Sequence, residues 1–170
     1  MERLTESFYH RPCLAVARDL VGKLLVHRAG GQELILRISE TEAYCGEADT
    51  ACHARFGKTA RTQPLYEKAG TSYVYLCYGI HWLMNVVTGE EEQPEAVLIR
   101  ACVEAPGPGK LTKALKITGQ DNRRDLVTDS DLWIASDGFQ CDIRCDRRVG
   151  IDYASTADRE KPWRFIMDNE

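Results

Sequence analysis

The sequence predicts an α+β fold, one domain over residues 1–170 built on a mostly antiparallel β-sheet with flanking helices. Three observations point there. Short runs rich in aromatic and β-branched residues recur along the chain, glycine turn signals join two pairs of them into hairpins, and two separate stretches carry helical spacing. At 170 residues and 44% hydrophobic content the chain can fill one core and is too short for two comfortable ones. No internal repeat, low-complexity tract or linker divides it.

Taken in order, Pro12 followed by CLAVARDLVG reads as a helix with proline in its first turn, apolar residues at Leu14, Ala17 and Leu20, and Gly22 as its stop. KLLVHRAGGQELILRISETEAY reads as two strands joined through Ala29-Gly30-Gly31. TSYVYLCYGIHWLMNVVTG is a second hairpin turning near Gly79, and EAVLIRACVEA a further strand. KLTKALKIT has helical spacing at Leu111, Leu115 and Ile117, with lysines on the other side. DLWIA, DIRCDRRVGI and PWRFIMD supply late strands.

Composition narrows the class. No window approaches 18 uninterrupted apolar residues and the N-terminus lacks the layout of a signal peptide, so a cytoplasmic protein with no membrane partner is expected. The seven cysteines, an odd count scattered through apolar runs and loops, fit reduced thiols. Cys141 and Cys145 are the one close pair, with no second pair or histidine motif beside them, so no metal site is expected. A net charge of −4 argues mildly against a protein whose binding is dominated by phosphate contacts, since such domains are usually basic overall. Arg55, Lys58 and Arg61 nevertheless cluster, as do Arg147 with Arg148 and Lys161 with Arg164, and each cluster alone fits an ordinary solvated face.

The stretch ETEAYCGEADTACH carries the chemistry. In a strand Leu34, Leu36 and Ile38 share the core face, and straight alternation puts Glu40, Glu42 and Tyr44 in line with them. Carboxylates held near an interior are costly and gather at functional clefts; a strand ending at Ser39 would instead leave both acids in solvent. From Cys45 to about Pro64 there is no sustained apolar period, and connections that long usually bind something. That stretch holds His53 and the first basic cluster.

Tyr73 and Tyr75 share a strand face, while Tyr78 sits beside Gly79 at the turn, where a large ring is exposed. Tyrosines and a histidine around carboxylates suit a flat, electron-rich guest such as a nucleobase. Stacking contributes about 1–3 kcal/mol per base, comparable to the few kcal/mol needed to extrude a nucleotide. Asn85, an amide inside WLMNVV, either braces the sheet or reads polar edges in a pocket.

The ordered blocks ETEAY with His53 nine residues after its tyrosine, YVYLCYGIHWLMNVV, AVLIRACVEA, GPGKLTKAL, RRDL, RVGID and KPWRF resemble the 3-methyladenine (alkyladenine) DNA glycosylase family, from about Phe8 to Phe165. The resemblance implies a single mixed domain with a protruding β-hairpin, no metal and no organic cofactor. It further implies a monofunctional enzyme that flips damaged purines out of double-stranded DNA and hydrolyses the N-glycosidic bond, acting as a monomer, in the cytoplasm and at the nucleoid in a bacterium. By position, Glu42 resembles the general base for water. Tyr44, His53 and Tyr75 resemble the walls of the base-stacking pocket, and Tyr78 the residue that fills the vacated place in the duplex. Asn85 matches the residue that disfavours guanine, and Arg61 and Arg100 match contacts to the DNA backbone.

One carboxylate suffices on chemical grounds. Cleavage develops oxocarbenium character at the sugar, which Glu42 stabilises while accepting a proton from water. O-glycosidases need a second carboxyl for the leaving group, whereas an N-alkylated purine already carries positive charge, which leaves Glu40 a structural part. The chain departs from the family's Thr-Pro-Arg-Asn stretch by keeping Thr59 and Arg61 but carrying Ala60 and Thr62. A damaged-base-binding module without turnover, or a hydrolase of nucleosides or RNA, are the competing readings; retention of Glu42 speaks against the first and Tyr78 against the second.

Overall fold

The structure is a computed structural model and describes residues 1–168. A short strand β1 (Glu2–Arg3) and a one-turn helix α1 (Glu6–Tyr9) precede helix α2 (Cys13–Leu20). Strands β2 (Leu24–Ala29) and β3 (Gln32–Cys45) form the first hairpin, β4 (Ser72–Cys77) and β5 (His81–Thr88) the second, and β6 (Glu95–Cys102) follows. Helix α3 (Pro108–Ala114), strands β7 (Leu132–Ser136) and β8 (Asp142–Asp146), helix α4 (Thr156–Glu160) and strand β9 (Arg164–Asp168) complete the described chain. All strand pairings are antiparallel, in the order β1-β7-β2-β3-β6-β5-β4, with β9 joined to β3 and β8 to β9. Mostly antiparallel sheet with flanking helices is the α+β arrangement expected.

The long strand β3 joins two regions of the sheet. Its first half pairs with β2, and its second half lies between β6 and β9. At the crossover the register slips on either side of Glu40, with Ser39 extra on β3 and Arg100 extra on β6, an irregularity that resets which face each later side chain takes. Straight alternation through Glu40 is therefore corrected. Beyond the bulge Thr41 and Ala43 fall on the core side with Ile38, all three fully buried, and the Thr41 hydroxyl donates to the Ala17 carbonyl of α2 at 2.6 Å. Glu42 and Tyr44 take the other face.

Helix α2 buries Cys13, Val16, Ala17 and Leu20 against that core, whereas Leu14, expected on the apolar face, lies partly in solvent. On the other side of the core Leu111, Leu115 and Ile117 are buried, but α3 ends at Ala114, so Leu115 caps it and Ile117 reaches the core from beyond the helix rather than by helical spacing. Not all cysteines are reduced thiols: Cys13 and Cys45 form a disulfide, because the bulge turns the last residue of β3 toward the first turn of α2. The other five are free. DIRCDRRVGI is a strand only as far as Asp146; from Arg147 the chain leaves the ladder because Arg148 turns inward to an ion pair. Helix α4, which hydrophobic spacing did not reveal, is capped by the Ser155 hydroxyl accepting from the Asp158 N–H. Among the described residues no helix is long and apolar enough to cross a membrane.

The turn end of the second hairpin is fixed by Trp82. Its carbonyl accepts from the Thr112 hydroxyl of α3 at 2.7 Å, and its ring lies flush on Gly119, where an added methyl would stand 2.8 Å from the indole. Gly119→Ala is expected to lower unfolding free energy by about 1–3 kcal/mol, measured by denaturant titration.

Candidate active site

Four adjacent strands share one face that the helices leave open. Across β3, β6, β5 and β4 the register sets Glu42, Leu98, Asn85 and Tyr73 side by side. Residues two positions away on each strand share that side, which adds Tyr44, Ala96, Arg100, Leu83 and Tyr75. Their neighbours in sequence, Ala43, Val97, Ile99, Met84, Val86 and Val74, point into the core. The open face and the segments after β3 and β8 enclose a cavity of about 650 Å³, which all eight sequence-predicted residues line: Glu42, Tyr44, His53, Arg61, Tyr75, Tyr78, Asn85 and Arg100.

Glu42 lies at its floor with no exposed surface. One carboxylate oxygen accepts the Tyr44 hydroxyl at 3.0 Å and the other the Val149 backbone N–H at 2.6 Å, with Arg100 Nε 4.0 Å away. Burial drives its pKa above the ordinary carboxylate value, and the Val149 N–H, Arg100 and Tyr44 offset only part of that. Glu40 behaves differently: its carboxylate accepts from Arg100 Nε at 3.1 Å and Arg164 Nη1 at 2.8 Å. It ties two cations to the cavity edge.

The rings are already organised. His53 meets Tyr75 edge to face with centroids 4.6 Å apart, and Tyr73 lies 5.3 Å from Tyr75. No third ring fits between His53 and Tyr75, so these two form one wall. His53 Nδ1 is 3.0 Å from the Tyr73 hydroxyl, and burial together with Arg61 and Arg55 pushes its pKa down to about 4. The imidazole is neutral at physiological pH. Arg61 stacks over Tyr75 at 5.3 Å. Asn85 lines the cavity and also braces the hairpin, since its amide donates to the Tyr73 carbonyl at 3.1 Å.

Thr62, one of the departures in the loop after His53, supplies its own closure. Its hydroxyl accepts from the Thr59 N–H at 2.8 Å and donates to the Gly57 carbonyl at 3.1 Å. At the hairpin tip Tyr78 is 88% exposed and holds a left-handed backbone with φ 52°, followed by Gly79 at φ 67°.

The second basic cluster is not a solvated face. Arg148 is buried and bidentate with Asp49 at 2.6 and 3.0 Å; it donates to the Ala43 and Asp158 carbonyls and stacks between Tyr44 and Trp163, 4.9 Å from each ring. Asp49 also accepts the N–H groups of Cys45 and Ala51. The next residue after Arg148 is Val149, whose N–H holds Glu42, so this ion pair braces the floor of the cavity. Lys161 and Arg164 are likewise paired, with Asp158 and Glu40. Sequence reasoning missed Arg148, Asp49 and Val149: a buried ion pair and a backbone donor leave no periodic trace. Tyr153, a further lining residue, stands in a stretch with no strand pattern. Asp49→Asn, which leaves Arg148 charged and without its counter-ion, is expected to destabilise the fold by about 3–5 kcal/mol, read from equilibrium unfolding.

The sequence profile of the methylpurine-DNA glycosylase family matches residues 7–106 and 103–170. Relatives of nearly the same length bear the name "Putative 3-methyladenine DNA glycosylase". One from Anaeromyxobacter sp. is 47% identical over 98% of this chain and 89% of its own. One from Myxococcus xanthus is 43% identical over 100% and 93%, and one from Borrelia garinii subsp. bavariensis 42% identical over 96% and 95%. Matched by the family profile over residues 7–170 and by relatives of up to 47% identity over nearly its full length, the chain belongs to the methylpurine-DNA glycosylase family.

Proposed function

We propose that this protein removes alkylated purines such as 3-methyladenine from double-stranded DNA by flipping the damaged nucleotide into the cavity and hydrolysing its N-glycosidic bond. The observation that carries the reading is the solvent-free Glu42 carboxylate beneath an aromatic wall. The base stacks between that wall, His53 with Tyr75, and Tyr44 opposite. Tyr78 fills the space the base leaves in the duplex; its exposure and left-handed backbone, a conformation a bulky residue adopts only at a cost, support that part. Asn85, with its amide committed to Tyr73, disfavours guanine. Arg61 and Arg100 face the DNA backbone.

Water attacks C1′ as the bond to the purine nitrogen breaks, and the bond's electron pair leaves with the base. Glu42 accepts the water proton and stabilises the positive charge at the sugar. A purine alkylated at N3 starts as a cation and departs neutral, so no acid is needed on the leaving side. The products are the free base and an abasic site with its strand intact.

Glu42→Gln is expected to abolish base release from methylated duplex DNA while leaving affinity for an abasic-site analogue largely intact; unchanged release removes Glu42 from the mechanism. The reaction requires the carboxylate form, and burial raises the pKa at which it is lost. The single-turnover rate therefore falls with decreasing pH through a midpoint above the ordinary glutamate value of about 4.3. Lys110 also lines the cavity, so water as nucleophile is checked by adding borohydride, which is expected to trap no protein–DNA adduct.

A further inference from the structure

The net charge of −4 requires that contacts to an anionic duplex be concentrated in a few cations. Several cations near the cavity, Arg100 of the DNA-facing pair among them, already have a carboxylate partner. Arg100 and Arg164 share Glu40, Arg148 is locked to Asp49, and Lys58 pairs with Glu92 at 3.1 Å. Arg55 is held without a carboxylate: among the described residues none lies within ion-pair distance of it. Its guanidinium lies between two rings, 4.3 Å from the Phe56 centroid and 4.6 Å from that of Tyr153. One terminal nitrogen donates to the Cys52 carbonyl at 3.0 Å, which leaves the Nε and Nη2 hydrogens without a protein acceptor.

The clamp itself is anchored. The Tyr153 hydroxyl donates to the Ala51 carbonyl at 2.6 Å, which pins that ring in the cavity lining beside Val149 and Ile151. Phe56 is 77% exposed, a large ring that buries little of itself and whose visible contact is the guanidinium. Arg55 and His53 belong to the same short turn, His53–Phe56. The planar cation thus stacks on a cavity-lining ring, Tyr153, and shares a short turn with His53 of the ring wall.

We propose that Arg55, clamped between Phe56 and Tyr153, binds a phosphodiester flanking the flipped nucleotide. A guanidinium held by stacking keeps its full charge, and its free N–H edge matches two phosphate oxygens. Because the clamp exists before DNA arrives, little side-chain entropy is lost on binding. Stacking, unlike a carboxylate partner, leaves no like charge to repel the phosphate. The assignment rests on the DNA reading above and adds a contact that none of the sequence motifs indicated.

The test uses the intact protein and a duplex holding an abasic-site analogue, with binding measured across a salt series. Arg55→Gln keeps a planar group that can still stack and donate to Cys52, so it separates charge from folding; Arg55→Ala is run beside it. Both are expected to weaken binding about tenfold and to lower the slope of log K against log salt by about 1. Replacing single linkages by neutral methylphosphonates is expected to weaken the wild-type complex at one linkage flanking the lesion, and Arg55→Gln is expected to be indifferent there. A steep wild-type slope that Arg55→Gln leaves unchanged, with the same methylphosphonate pattern, overturns the phosphate contact and leaves the glycosylase reading standing. A flat wild-type slope overturns both.

Discussion

The paired irregularity beside Glu40, one extra residue on β3 matched by one on β6, decides which face the acid at Glu42 takes. A strand has a period of two, and a sheet packed on one face by helices can offer only its other face to a ligand. Without the bulge, Glu42 and Tyr44 would continue the line of Leu36 and Ile38 and drive a carboxylate under α2. With it, Thr41 and Ala43 take over the core positions, the Thr41 hydroxyl finds the Ala17 carbonyl, and the acid emerges beside Leu98 and Asn85. The cavity is the reverse side of the core, and the two are made by the same alternation.

A carboxylate placed there costs free energy, and its surroundings return only part of it. Tyr44 and the Val149 N–H each occupy one oxygen, and Arg100 stands just beyond contact. Full neutralisation by a bidentate arginine would depress the pKa and hold the oxygens away from water. The chain gives that arrangement to Asp49 and Arg148 instead, one layer below. A buried ion pair of this kind is weak support for stability but fixes geometry once formed: it gathers the end of β3, the loop after it, the Val149 segment and the start of α4. Glu40 has a comparable part at the edge, where it collects Arg100 and Arg164. Three acids close in space thus do three things because their counter-ions differ.

The elements with strong local signals were legible in the sequence. Both hairpins, strand β6, and helix α3 with its buried Leu111 follow from alternation, turn residues and helical spacing. The eight candidate residues also gather in one cavity as the ordered motifs implied. What was not legible depends on long-range contacts. A bulge is a property of two strands' register, so alternation alone left open whether Glu42 is buried or solvated and misread which face it takes. The Cys13–Cys45 disulfide joins residues that only the folded sheet brings together. Arg148 next to Arg147 looks in sequence like a charged surface, and only Asp49, 99 residues earlier, makes it an interior group. The Val149 N–H carries no side-chain signature at all.

The central claim is that Glu42 is a desolvated carboxylate whose pKa is raised by its burial under the cavity. Its own titration tests that most directly. Carbon-13 NMR of glutamate-labelled protein, with the Glu42 resonance assigned by its disappearance in Glu42→Gln, gives the midpoint in the free enzyme. The account predicts a midpoint clearly above the value of about 4.3 for an unperturbed glutamate. A midpoint at or below that value would mean the carboxylate is solvated or fully paired, and would contradict it.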